Sequence, residues 1–220
     1  TDGMIPESPN RKARGNEEEM EKWMVAAKKA DFDDWSKRFG ISPVLARIIR
    51  NRDITEPSEV RKFLSGTLAD CYSPWLLKGM EEAVGVIEKN MEKGMKIRVI
   101  GDYDVDGICS SYILTRSLRE MGAEVDTAIP HRILDGYGLN DTLIEQAHRD
   151  GIGLIVTCDN GIAAQAQIAL ARKWGMQVVV TDHHEVPFVE RDGQKIQQLP
   201  PAEAVIDPRQ EGCGYPWPGI

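Results

Sequence analysis

The 220-residue sequence has no run of about 18 or more apolar residues, so no membrane-spanning helix is expected. No secretory signal pattern opens it. Its four cysteines (Cys71, Cys109, Cys158, Cys213) are far apart and form no C-x-x-C pair. Zinc-ribbon and thioredoxin-type chemistry are thereby excluded, and a reducing cytoplasm fits best. Two of them sit in apolar runs, where buried free thiols are expected. No basic excess exists: 27 Lys and Arg face 35 Asp and Glu, for a formal net charge of -8. Taken alone, that balance argues against a surface built for nucleic acid. Clustered carboxylates add negative charge of their own, however, and a bound cation cancels part of it. No G-x-S-x-G elbow and no G-x-x-x-x-G-K-[ST] phosphate loop is present. No G-x-G-x-x-G follows the first strand, and no repeat of solenoid length is visible.

What is present falls into three parts. Residues 1–16 are polar, rich in turn formers and charge, and read as a disordered tail or tag. Residues 17–95 read as a helical lead-in, beginning with "EEEMEKWMVAAKK". In "ISPVLARIIRNR", Ser42 is an N-cap and Pro43 the first helical residue. "ITEPSEVRKFL" repeats the device with Thr55 and Pro57. Two short helices joined tightly resemble a DNA-reading helix-turn-helix, but such pairs are more often packing units. A further helix is expected from about Gly79 to Lys93.

From residue 96 the pattern becomes strand and helix in alternation. The strands are "KIRVIG", "EVDTAIP", "GLIVTCDNG", "QVVVTDHH" and "AEAVIDP". The helices between them are "ICSSYILTRSLREMG", "NDTLIEQAHRDG" capped by Asn140, and "AAQAQIALARKWG". Alternation at this length indicates parallel β-α-β units. Near-continuous Val/Ile runs indicate strands covered on both faces. The expected fold is α/β: a parallel sheet of about five strands with helices on both faces, preceded by the small helical region. "RDGQKIQQLPPAE" reads as a loop, and Tyr215 and Trp217 as exposed aromatics that seek cover.

The chemistry-bearing residues sit at the ends of these strands. Asp102, Asp104 and Asp106 follow the first strand in "GDYDVDG". Asp159 follows the third in "TCDNG", and Asp182, His183 and His184 follow the fourth in "TDHH". In an open parallel sheet these ends share one edge, where ligands bind at the switch of strand order. Converging carboxylates repel and raise one another's pKa unless a cation lies between them. With one or two imidazoles the donor set suits manganese, or magnesium with a less ideal fit, and zinc is possible. If "DYDVD" is extended, its side chains alternate in direction, so the three aspartates need not share one ion. An Asp at a strand end is often only a turn former or helix cap. The set of carboxylates together with the His-His pair favours metal-assisted hydrolysis of a phosphoester. His148 reads as a surface histidine. His131 and Arg132 lie in a loop after the second strand and read equally well as solvated.

The motifs "GDYDVDG", "TCDNGI" and "VVVTDHHEVP", in this order, resemble those of the DHH phosphoesterase superfamily. The likeness is nearest to its branch of bacterial single-strand-specific exonucleases of the RecJ type. "IPHRILDGYGLN" is similar to a segment of that branch, with His131 where Asn is common. "AVIDPRQEGCGYPWPGI" resembles another, with Asp207 for the usual Asn. The resemblance spans about residues 35–220.

It implies Asp104, Asp106, Asp159 and His183 as metal ligands, with Asp102 a further ligand of a second ion and Asp159 bridging two ions. It implies His184 facing the scissile phosphate and Arg132 holding a substrate phosphate through its planar fork. Asp182 would orient a histidine. The implied activity is manganese- or magnesium-dependent hydrolysis of single-stranded DNA from the 5′ end, releasing 5′ mononucleotides, in DNA repair and recombination. The complete enzyme would hold two ions, with single-strand-binding protein or a helicase as partners and no membrane. Short oligonucleotides, cyclic dinucleotides or pyrophosphate are the substrates of other DHH proteins, and a non-catalytic binding module is the remaining alternative. The family pattern also has a further metal-binding Asp some sixty residues after the His-His pair, and a second domain. Residues 96–220 are therefore expected to be a DHH domain cut before its last metal-ligand strand.

Overall fold

The computed structural model describes residues 28–134 and 136–216. The helix expected at 17–29 lies largely outside the described residues, as does Trp217. The chain divides between Asp70 and Cys71 into two compact units.

Among its described residues the first unit holds three α-helices: α1 (Phe32–Phe39), α2 (Pro43–Asn51) and α3 (Pro57–Ser65). Asp31 caps α1 by accepting from the Asp34 amide. Ser42 caps α2 by accepting from the Leu45 amide, with Pro43 at the first position. α1 packs on α2, and Arg47 lies over the Phe32 ring at 4.5 Å. At α3 the cap differs from the expectation. Glu56, not Thr55, holds the cap position, and no side chain bonds the helix end. Pro57 fixes the start one residue later than a Thr55 cap requires.

The second unit is built on a five-stranded, all-parallel sheet of order β2-β1-β3-β4-β7. Its strands are β1 (Ile97–Ile100), β2 (Val125–Ala128), β3 (Leu154–Cys158), β4 (Gln177–Thr181) and β7 (Ala204–Ile206). Because side chains alternate across a strand, consecutive residues feed opposite faces. Ile97, Val99, Leu154, Val156 and Val179 pack on one face with Ala83 of α4 (Met80–Glu92) and Leu118 of α5 (Val105–Glu120). Ile100, Ile155, Val178 and Val180 pack on the other with Ile144 of α6 (Asp141–Arg149) and Ile168 of α7 (Gln165–Lys173). Both faces are covered, which is why the strands read as unbroken apolar runs. Asn140 caps α6 through its side chain, as the sequence indicates.

Three local expectations change. α4, assigned from its sequence to the helical lead-in, packs on β7 and belongs to the sheet unit. The segment read as a loop contains an antiparallel hairpin, β5 (Phe188–Arg191) and β6 (Gln194–Gln197). Its turn is Asp192-Gly193 with φ of 52° and 74°, the positive pair that a tight hairpin turn needs. Of the two cysteines in apolar runs, Cys158 is buried, with its thiol pKa pushed up to about 11 by burial. Cys109 is exposed instead.

The order of the sheet reverses between β1 and β3. That switch point opens a crevice at the C-terminal edge, and Asp102 and Asp159 flank it.

Candidate active site

Asp102 follows β1 and has no exposed surface. One carboxylate oxygen takes a long contact of 3.4 Å from the Gly138 amide, and the other is buried without a partner. The chain then turns directly into α5, so "DYDVD" is not extended. Asp104 is the N-cap: one carboxylate oxygen accepts from the amides of Asp106 and Gly107, both at 3.0 Å. The bland reading of an aspartate at a strand end is therefore true of Asp104, yet its side chain also meets Asp159. The Gly107 amide is the main cause that holds its carboxyl below the usual range, against a smaller opposing effect of burial. Asp106 stands in the first turn of α5, exposed, at the wall of the cleft.

The glycines flanking these aspartates are required by close approach. A Cβ on Gly107 would lie 2.4 Å from the Asp102 carbonyl oxygen, and one on Gly101 would lie 1.9 Å from Ser111 Oγ. Glycine lets the first turn of α5 rest on the end of β1, which brings Asp104 and Asp106 over Asp102.

Asp159 leaves β3 with φ of 61°, a left-handed conformation that Asp tolerates better than most residues. Its Oδ1 lies 2.7 Å from His183 Nε2, while its Oδ2 is buried and unpartnered. Burial raises its pKa and the Asp104 charge adds to the rise, partly offset by the His183 bond. Asp182 is buried and accepts from four donors: the amides of Ile162, His183 and His184, and His184 Nδ1 at 2.7 Å. Burial works against charge on the His184 ring. The hydrogen bond to Asp182, with the charges of Asp182, Asp159 and Asp104, outweighs it, and the His184 pKa lies above the ordinary value.

Ligand atoms of Asp159, His183 and His184 lie within 4.8 Å of one another. Asp104 reaches this group through Asp159, and Asp106 lines the same cleft of about 460 Å³. Asp102 is buried at the end of β1 and is not among the residues lining that cleft. Arg132 sits apart from the cluster, its guanidinium 5.2 Å from the centre of the Tyr103 ring. The Tyr103 ring meets Tyr137 edge-on at 6.1 Å, and Tyr137 meets His184 at 5.8 Å, so aromatic contacts link Arg132 to the cluster. His148 is exposed against Trp174. The mixed oxygen and nitrogen donors fit a divalent cation, and so does the buried, partnerless Asp159 Oδ2, since a carboxylate oxygen without donors is costly.

A family model described as the DHH family, N-terminal domain, matches residues 96–215. The chain belongs to the DHH family. Members of that family similar to it include the single-stranded-DNA-specific exonuclease RecJ of Bacillus subtilis, 36% identical over 182 residues, or 83% of this chain and 22% of the relative. The Escherichia coli exonuclease of the same name is 36% identical over 178 residues, 80% of this chain and 28% of its own. Among solved structures, exonuclease RecJ bound to manganese superposes with a TM-score of 0.55 at 34% identity, covering 64% of this chain and 34% of that one. RecJ in complex with Mn2+ from Thermus thermophilus gives 0.54 at 25% identity, covering 84% and 25%. The chain thus spans about a quarter of the length of the curated relatives it matches.

Two residues at this DHH-family site carry more than the sequence suggested. Tyr137 donates to the Asp159 carbonyl at 3.1 Å and contacts His184 Nε2 at 3.1 Å. Asp207, which follows β7, has no exposed surface, and its Oδ2 has no partner. Burial first, then the Asp182 charge, push its carboxyl up to about 6 against the opposing amide of Arg209. The sequence signal for Tyr137 was its place between two glycines in a loop that returns to the sheet edge. For Asp207 the sequence signals were its place at a strand end and its standing where the resembling family segment usually has Asn.

Proposed function

We propose that this chain carries the metal-binding residues of a nuclease centre that hydrolyses single-stranded DNA from the 5′ end and releases 5′ mononucleotides. The observation that supports it most is the convergence of ligand atoms of Asp159, His183 and His184, beside which Asp159 keeps one buried carboxylate oxygen without a hydrogen-bond partner. The names of the relatives point to the same substrate. Asp104, Asp106, Asp159 and His183 would hold manganese or magnesium, with Asp102 serving a second ion and Asp159 shared between the two. Such an ion supplies a nucleophile from bound water at neutral pH and offsets charge on the phosphoryl oxygens.

In this reading each residue has its own task. Asp182, anchored by three backbone amides, fixes the His184 ring. His184 places positive charge beside the scissile phosphate, where developing negative charge is stabilised. Arg132 offers a planar fork to a terminal phosphate. Repair and recombination are the processes that consume this activity. Single-strand-binding protein or a helicase would be the partners that expose the strand.

The test is release of mononucleotides from single strands labelled at either end, with manganese or with a chelator, the Bacillus subtilis relative assayed beside this chain. Manganese-dependent shortening from the 5′ end is expected. Cleavage confined to dinucleotides, cyclic dinucleotides or pyrophosphate would assign the centre to another DHH substrate class.

A further inference from the structure

We propose that Tyr137 is a positioning residue whose hydroxyl ties the His184 ring to the backbone of Asp159. The hydroxyl has one proton. It donates that proton to the Asp159 carbonyl, which can only accept. The 3.1 Å contact with His184 is then completed by Nε2–H as donor and the phenol oxygen as acceptor. The other ring nitrogen is held by Asp182 at 2.7 Å. Both edges of the imidazole are therefore fixed, one by a carboxylate on its own strand end and one by a residue from a separate loop.

The loop is built to do this. Gly138 has φ of 73°, a conformation that folds the chain back after Tyr137, and its amide faces Asp102. Leu139, the next residue, is buried in the core. Tyr137 is thus anchored on its C-terminal side, although its own side chain is half exposed. The Asp159 carbonyl that it grips belongs to a residue in the left-handed region, and a fixed donor to that carbonyl helps to hold the conformation. One phenol oxygen so couples the backbone of Asp159, whose carboxylate belongs to the metal cluster, to the histidine beside the phosphate. A charge-stabilising group held in place beforehand needs no reorganisation at the moment of reaction.

The catalytic consequence rests on the nuclease reading, whereas the hydrogen bond does not, and the experiment separates the two. Tyr137→Phe removes only the oxygen and keeps the ring contacts to Tyr103 and His184. In the metal-free full chain with ¹⁵N-labelled histidine, the wild type should show a His184 Nε2–H proton protected from water, and Tyr137→Phe should lose it at an unchanged thermal midpoint. An identical His184 signal in the two proteins would overturn the proposal. On 5′-phosphorylated single strands with manganese, the variant should lose about 10- to 100-fold in kcat at constant KM, the scale of a misplaced catalytic group. Equal kcat would also overturn it. Failure of the wild type to cleave would sink the nuclease reading and leave the nitrogen spectrum to decide on Tyr137.

Discussion

Asp207 has a carboxyl with no exposed surface and a pKa raised to about 6 from 3.8, chiefly by burial. A carboxyl raised on folding binds its proton more tightly in the native state. Its stabilising effect is complete below pH 3.8 and is lost as pH rises through about 6. The difference amounts to about 3 kcal/mol at most, taking about 1.4 kcal/mol per unit. Asp207→Asn should therefore equal the wild type at low pH and exceed it at neutral pH. Urea unfolding at both values, with chelator present, checks this; a variant less stable at neutral pH would show that the charged form has a role in the fold. Asp159 and Asp182 form a second contrast. Asp159→Asn removes a proposed ligand, whereas Asp182→Asn alters the group that orients His184 and leaves every proposed ligand in place. Manganese calorimetry should show a large loss for Asp159→Asn and little change for Asp182→Asn, because His184 stands outside the proposed ligand set. Equal losses would remove the distinction. Asp102, Asp104, Asp106, Asp159 and the His-His pair were legible because carboxylates and imidazoles at strand ends signal their chemistry by type. Tyr137 was not, because a tyrosine acquires its meaning only from what the loop places beside its hydroxyl.

At the scale of elements, the first turn of α5 decides whether Asp104 and Asp106 face Asp159. Gly107 permits that turn to rest on the Asp102 backbone, where an added Cβ would meet three atoms at 2.4–2.6 Å. The neighbour is backbone and cannot swing aside. Gly107→Ala should cost about 1–3 kcal/mol, as overpacking does, and should weaken manganese binding by displacing both aspartates. Denaturant unfolding and calorimetry measure the two effects, and an unchanged affinity would show that α5 does not position the ligands. The strands and the helices α4 to α7 were legible from periodicity, since each buries a whole face or stripe. The hairpin β5–β6 was not, because its residues are nearly all exposed and little apolar alternation distinguishes "FVER" and "QKIQ" from a loop. The Asp192-Gly193 dipeptide was its one local signal. The cap of α3 was displaced from Thr55 because Pro57 can occupy the first helical position whatever residue precedes it.

At the scale of the whole molecule, the family match begins at residue 96, but the fold of the sheet unit begins earlier. α4 lies against β7, and Ala83 is buried in the same core as Ile97, Val99 and Val179. Leu77, Met80, Val86, Ile87 and Met91 pack around that core from the same segment. The C-terminal side closes on it as well: the Gln210 side-chain amide donates to the carbonyls of Lys78 and Val205, and Lys78 Nζ bonds the Glu211 carbonyl. A chain cut at residue 96 would expose several apolar side chains, each worth about 1.5–3 kcal/mol when fully buried. Even at half that value the loss approaches the whole stability of an ordinary domain, about 5–15 kcal/mol. It would also leave Gln210 without one of its two acceptors. Residues 71–220 should therefore fold, with cooperative thermal unfolding and retained manganese binding, while residues 96–220 should not. Circular dichroism melting and calorimetry on the two fragments decide the matter. Cooperative melting of the shorter one would show that α4 covers the sheet without being needed to hold it together.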